Sequence, residues 1–158
     1  MRIKEVMTES PQSCRVGDSA NEAARIMWER DCGVVPIIDH AGKVAGIVTD
    51  RDICMAAYFQ GLPLSQIAVA SIMCPDVSTC SRDADLADAE RLMQERQIHR
   101  VPVVDEGGRL VGMLSLSDVA RGVKRSGALV QKNGEAQELL QTVARISEPR
   151  TRPHQARV

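Results

Sequence analysis

Apolar positions along this chain fall into two rhythms that take turns. Between Ser19 and Glu29 they come three and four apart, at Ala20, Ala23, Ala24 and Met27, which is one face of a helix. Ser19-x-x-Glu22 reads as a capping box at its start. Val34-Val35-Pro36-Ile37-Ile38 is then a solid apolar run closed by Asp39, the pattern of a strand covered on both faces. Pro36 has no N–H for a ladder, so it marks a strand start, edge or break. Gly42 supplies a turn into a second run, Val44–Val48, and helical spacing returns from about Asp50 to Gln60.

The same order then repeats. Leu86, Ala89, Leu92 and Met93 form a helix face behind Asp83 or Asp85. The strands Val101–Val104 and Leu110–Leu114 flank Gly107-Gly108, with Pro102 in the place of Pro36, and a helix follows over Leu116–Lys124. Ahead of each unit stand a helical turn (Ile3–Met7, Val69–Met73) and an extended stretch (Ser13–Val16, Val77–Ser81). A shift of 66 residues lays 6–53 over 72–119 without a gap, with 13 of 48 positions identical. Chance would leave about 3 at ordinary residue frequencies. The expected fold is therefore α/β of the α+β type: two pseudo-twofold-related β-α-β-β-α units, each a three-stranded sheet with two helices. The division is 1–66, 67–125, a helical extension over 126–148, and a disordered tail over 149–158.

In the extension, Ala136, Leu139, Leu140 and Val143 give helical spacing over Glu135–Ile146, with Asn133 as a cap. Such a helix either packs on its own domain or dimer mate, or docks another protein. Pro149–Val158 holds two prolines and three arginines and has no core-forming pattern.

Composition narrows the function. Apolar residues are 44% of the 158, enough for a packed globule, while aromatics are 2%, too few for a base-stacking platform. Residues 1–120 carry 12 Lys and Arg against 18 Asp and Glu, so nucleic acid is not the expected partner of the body. Residues 121–158 carry 8 against 3, which leaves the tail as the candidate for an acidic partner. No run is long enough to span a membrane, and the N-terminus lacks an export pattern, so a cytoplasmic protein is expected. The five cysteines form no C-x-x-C pair and have no histidines at zinc-finger spacing. They read as buried structural thiols, with a redox switch as the alternative.

Two segments in each copy are specific. Gly33-Val34-Val35-Pro36-Ile37-Ile38-Asp39 with Gly46-Ile47-Val48-Thr49-Asp50-Arg51-Asp52-Ile53 resembles the two signatures of a CBS (cystathionine β-synthase) motif. So does His99-Arg100-Val101-Pro102-Val103-Val104-Asp105 with Gly112-Met113-Leu114-Ser115-Leu116-Ser117-Asp118-Val119. The tandem arrangement resembles a Bateman module, and the chain is similar to small stand-alone bacterial two-CBS proteins. That resemblance implies clefts between the motifs for an adenosine nucleotide such as AMP, ADP, ATP or NAD, held as a regulatory ligand. It implies phosphate contact by Thr49 and Ser115 and ribose contact by Asp52 and Asp118. It further implies base contacts from Val34, Val35, Arg100 and Val101, largely through backbone, and phosphate contact by Arg100 and Arg51 beside His99.

Spacing alone supports another role, because Thr49-x-x-Asp52 and Ser115-x-x-Asp118 are also capping boxes. The copies differ at Gly33-Val34 against His99-Arg100 and at Asp50-Arg51 against Leu116-Ser117, so equivalent clefts are not expected. Asp50 is expected to add negative charge near the first. No phosphate loop, serine elbow or metal-ligand cluster points to an enzyme. A homodimer through the helix faces with a regulated protein partner is the expected form. The alternative is a ligand-independent scaffold acting through its dimer surface and C-terminal helix.

Overall fold

The computed structural model describes residues 1–125 and 135–146. The expected tail and the Asn133 cap lie outside them. After a 3-10 turn at Ile3–Glu5, the first half runs β1 (Thr8–Glu9), β2 (Cys14–Arg15), α1 (Ala20–Glu29), β3 (Val34–Ile38), β4 (Val44–Thr49) and α2 (Asp50–Gln60). The second half runs α3 (Val69–Ile72), β5 (Cys80–Ser81), α4 (Leu86–Arg96), β6 (Arg100–Val104), β7 (Leu110–Ser115), α5 (Leu116–Arg125) and α6 (Glu135–Ile146). The expected β-α-β-β-α order is present twice.

One sheet is β2-β3-β4, with the expected three strands; the other is β1-β7-β6-β5. The fourth strand is an addition to the expectation. It comes from the chain's own N-terminus, with Thr8 opposite Met113 and Glu9 opposite Gly112. A two-residue exposed strand has no apolar pattern to announce it.

Each hairpin is tied by its aspartate. Asp39 Oδ1 accepts the N–H groups of Ala41 (2.8 Å) and Lys43 (2.9 Å), and Asp105 Oδ1 those of Gly107 and Arg109 (both 2.9 Å). Gly42 and Gly108 take φ of 78° and 77° in these turns, where a side chain would be strained. Pro36 lies mid-strand and faces Ile47. Ile47 exchanges both its backbone bonds with Cys74 (3.0 and 2.9 Å), so no N–H is wanted from Pro36 on that side. On the other side β2 reaches only Ile37 and Ile38. The proline therefore fits a central strand without losing a bond.

The two cores do not follow the sequence repeat. Ile67 and Val69 are buried with Ala20, Ala23, Val35, Ile37 and Val48 of the first half. Ile3, Val6 and Met7 are buried with Leu86, Ala89, Val101 and Leu114 of the second. Each half's leading arm crosses to the other half. Fully burying Ile3 or Ile67 is worth about 1.5–3 kcal/mol. The arms also accept the first N–H of α1 and of α4, and the side-chain caps expected from sequence are not made. Ser19 makes no side-chain cap; the Glu22 N–H goes to the Ser19 carbonyl (3.1 Å), and the Ala20 N–H donates to the Ile67 carbonyl (2.7 Å). Asp85 makes none either, and the Leu86 N–H goes to the Met1 carbonyl (2.9 Å).

These contacts come in pairs 66 residues apart. Arg2 bridges Asp85 and Ser19 bridges Ala68, while Lys43 bridges its own counterpart Arg109 in antiparallel sense. A residue that pairs antiparallel with its counterpart marks the pseudo-twofold axis. The repeated glycines Gly46 and Gly112 let the arms come close. A Cβ on Gly46 would stand 2.5 Å from Met73 Sδ, and one on Gly112 2.5 Å from Met7 Sδ.

The symmetry ends at α6. This helix packs on α4 and α5, with Ile146 buried in the second core and Leu139 against it. Gln94 Nε2 donates to Thr142 Oγ1, which donates to the Glu138 carbonyl (both 2.8 Å). Of the two fates expected for α6, packing on its own domain is the one observed. Among the described residues nothing covers the equivalent α1/α2 face of the first half, and Trp28 is 88% exposed. A shallow groove there is lined by Ala24, Met27, Ile53, Cys54, Ala57 and Leu64. Among the described residues no helix is long and apolar enough to cross a membrane.

Candidate functional site

At the end of β4 the chain turns into α2 through Thr49. Asp52 Oδ2 accepts from the Thr49 N–H (2.8 Å) and hydroxyl (2.7 Å), and the Asp52 N–H donates to Thr49 Oγ1 (3.2 Å). Ser115 and Asp118 repeat this at the end of β7, at 2.8, 2.6 and 3.2 Å. Both sites are complete capping boxes. The hydroxyls have one proton each, and the carboxylate takes it.

The two aspartates differ beyond the cap. Asp118 is buried, and its Oδ1 accepts from Arg121. Asp52 is half-buried, and Met55 stands at the position equivalent to Arg121. Among the described residues no hydrogen bond reaches Asp52 Oδ1.

Two clefts lie where the halves meet. The first, about 460 Å³, is lined by Val34, Ile47 and Thr49, by Cys74, Asp76, Val77 and Ser78 of the second arm, and by Arg96, His99, Arg100 and Pro102. The second, about 550 Å³, is lined by Thr8–Gln12 of the first arm, by Arg30, Cys32, Val34 and Pro36, and by Arg100, Met113, Ser115, Asp118 and Arg121. The linings are counterparts at the 66-residue offset. Their size is that of small-molecule sites, about 300–1,000 Å³.

The structure thus brings Thr49, His99, Val34 and Arg100 to the first cleft, and Ser115, Asp118, Val34 and Arg100 to the second. Asp52 sits behind its cap, and Arg51 is exposed on α2; neither lines a cleft. Val35 and Val101 have no exposed surface. Their backbones are no freer, because the pair next to the unbonded Pro36–Ile47 pair is the one that carries ladder bonds. The backbone groups of Val34 point away from β4, so any main-chain contact to a base falls to Val34 and Arg100. Asp50 lines the α1/α2 groove and not the first cleft, and its Oδ1 accepts the Arg51 N–H (2.7 Å).

Sequence reasoning missed several charged and polar residues of the two linings. Arg96, Asp76 and Ser78 stand in the first cleft, and Arg30, Glu9, Asp31 and Arg121 in the second. Arg30/Arg96 is one of the identities between the copies, a signal that could have found that pair.

The cysteines are all free. Burial pushes the Cys80 thiol up to about 12, and burial with the charges of Asp18 and Glu22 pushes Cys14 up to about 11. These two are poor nucleophiles at neutral pH. Cys54 and Cys74 are exposed, so the expectation of buried thiols fails for them: one faces the uncovered groove, the other a cleft. Among the described residues no three His, Cys, Asp or Glu side chains gather to hold a metal ion.

A family profile described as CBS domain matches residues 3–58 and 69–125. The chain belongs to the CBS-domain family. The CBS domain-containing protein YhcV of Bacillus subtilis is 32% identical over 118 residues, covering 75% of this chain and 82% of YhcV. The homoserine O-acetyltransferase of Methanococcoides burtonii is 34% identical over 119 residues, but these make up 23% of that enzyme. Among solved structures, the CBS domain pair of protein MJ0100 in complex with 5′-methylthioadenosine and S-adenosyl-L-methionine has a TM-score of 0.70 and 28% identity. The match covers 80% of this chain and 98% of that one. CBSX2 in complex with AMP has a TM-score of 0.69 and 26% identity, covering 78% and 96%. The two unequal sheets and paired helices are the fold of a CBS pair.

Proposed function

We propose that this CBS pair is a regulatory module that binds an adenosine-type ligand, of the kind AMP, ADP, ATP, NAD or S-adenosylmethionine, in the clefts between its halves. The observation that carries the reading is the pair of clefts that the repeat sets at counterpart positions. Each sets a helix-starting hydroxyl and arginines around a space of nucleotide size. The MJ0100 and CBSX2 complexes support the adenosine class. In this reading Arg100 meets phosphate, Val34 and Arg100 offer backbone to the base, and Asp118, which lines the second cleft, meets ribose. The module works by binding and not by turnover, and sustained ATP or NAD hydrolysis by purified protein would count against it.

A thermal-shift screen across these nucleotides tests the reading. A ligand at 100 times its Kd adds about 2.7 kcal/mol, or about 5–10 °C for a chain of this size. A flat response across the panel would overturn the reading.

A second reading has its own observation. Trp28, Tyr58 and Phe59 are 88%, 77% and 70% exposed in a chain with only three aromatic residues. Large exposed rings beside an apolar groove fit an interaction surface. In this reading a second copy covers the α1/α2 face, and the dimer acts as a scaffold without a ligand. A dimer is compatible with both readings; only the nucleotide response separates them.

A further inference from the structure

Val34 and Arg100 are the residues common to both cleft linings. They are counterparts at the 66-residue offset and begin the equivalent strands β3 and β6. The pseudo-twofold axis makes them the shared wall. A fully symmetric chain would place two identical side chains in that wall, one for each cleft. This chain places one exposed arginine and one valine that is 8% exposed.

The remaining cations do not restore the balance. Arg30 and Arg96 are themselves counterparts, one for each cleft. Arg121 is already paired with Asp118. A phosphate in either cleft therefore calls on the same guanidinium for its second cation.

We infer that Arg100 couples the two clefts, so that a phosphate monoester held in one weakens the binding of a second in the other. The inference rests on the nucleotide reading above and names its regulation. A guanidinium docks a phosphate through a fixed, planar fork of donors. Once it is committed, a second dianion meets a neutralised cation and a like charge. A ligand without phosphate makes no such demand. The chain would then accept one phosphorylated and one uncharged adenosine ligand together more readily than two phosphorylated ones.

Isothermal titration with AMP and with adenosine tests this. Adenosine should fill two sites whose affinities differ only as far as the two linings do. AMP should widen that gap by about 5–150-fold, the usual span of a coupling between sites. Arg100→Val gives β6 the side chain that β3 already carries at the equivalent position, so the strand can accept it. It should bring the AMP gap down to that of adenosine, with Arg30 and Arg96 still meeting one phosphate each. Val34→Arg should instead supply the missing cation and give two tight AMP sites. An AMP gap no wider than that of adenosine, or a widened gap that persists in Arg100→Val, overturns the coupling and leaves the nucleotide reading standing. Failure of both compounds to bind overturns both.

Discussion

Thr49 has one proton to donate, and in this structure it goes to Asp52 Oδ2. The capping and ligand roles therefore compete for one hydrogen at Thr49 and again at Ser115. Substitution separates them. An asparagine oxygen can still accept from the Thr49 N–H, so Asp52→Asn should melt close to wild type without ligand. If Asp118 holds ribose in the second cleft, the nucleotide-induced rise should shrink in Asp118→Asn. Asp52→Ala should lower the baseline by about 0.5–2 kcal/mol whether or not ligand is present. A full rise in Asp52→Asn and Asp118→Asn would make both residues caps only. Cys14 makes a pH prediction. Its folded pKa is raised from 9.0 to about 11, so the folded chain keeps a proton that the unfolded chain releases. Its contribution is present below pH 9.0 and lost as pH rises through about 11. The melting temperature should fall more steeply across that window in wild type than in Cys14→Ala; equal slopes would contradict it. Sequence exposed the Thr49 and Ser115 boxes because each closes on itself within one helical turn. It failed at Ser19 because the Glu22 N–H goes to the Ser19 carbonyl and not to its hydroxyl.

Among the elements, α6 has the clearest energetic role. Ile146 is 5% exposed within the second core, so Ile146→Ala should cost about 2–5 kcal/mol in denaturant unfolding. A change below about 1 kcal/mol would place α6 outside the cooperative core. Its existence was legible from the three-and-four spacing, but its location was not. Spacing reports that a helix has an apolar face and is silent on what covers it. The hairpins were legible in more detail, since Asp39, Gly42, Asp105 and Gly108 are local turn chemistry. Pro36 was read too cautiously, because its tolerance depends on Cys74 occupying Ile47.

For the molecule as a whole, the repeat gave the symmetry, and α6 breaks it. With α4 and α5 covered, a dimer through the helices should use the α1/α2 face. Trp28→Asp should then turn a dimer into a monomer in sedimentation velocity while leaving the melt nearly unchanged, since Trp28 is 88% exposed. A wild-type monomer at micromolar concentration would rule this face out. The crossed arms bear on the order in which the chain can fold during synthesis. The first core needs Ile67 and Val69, so it can close once the chain has grown a little past them. The second core draws on Ile3, Val6 and Met7 and on side chains from Leu86 to Ile146. Those three apolar side chains must wait, uncovered, until the second half has been made. Their closure spans long sequence separations, and such contacts form slowly. The growing chain is therefore open to misassociation at residues 3–7 for as long as the second half is unmade, and the second core is the later of the two to become native.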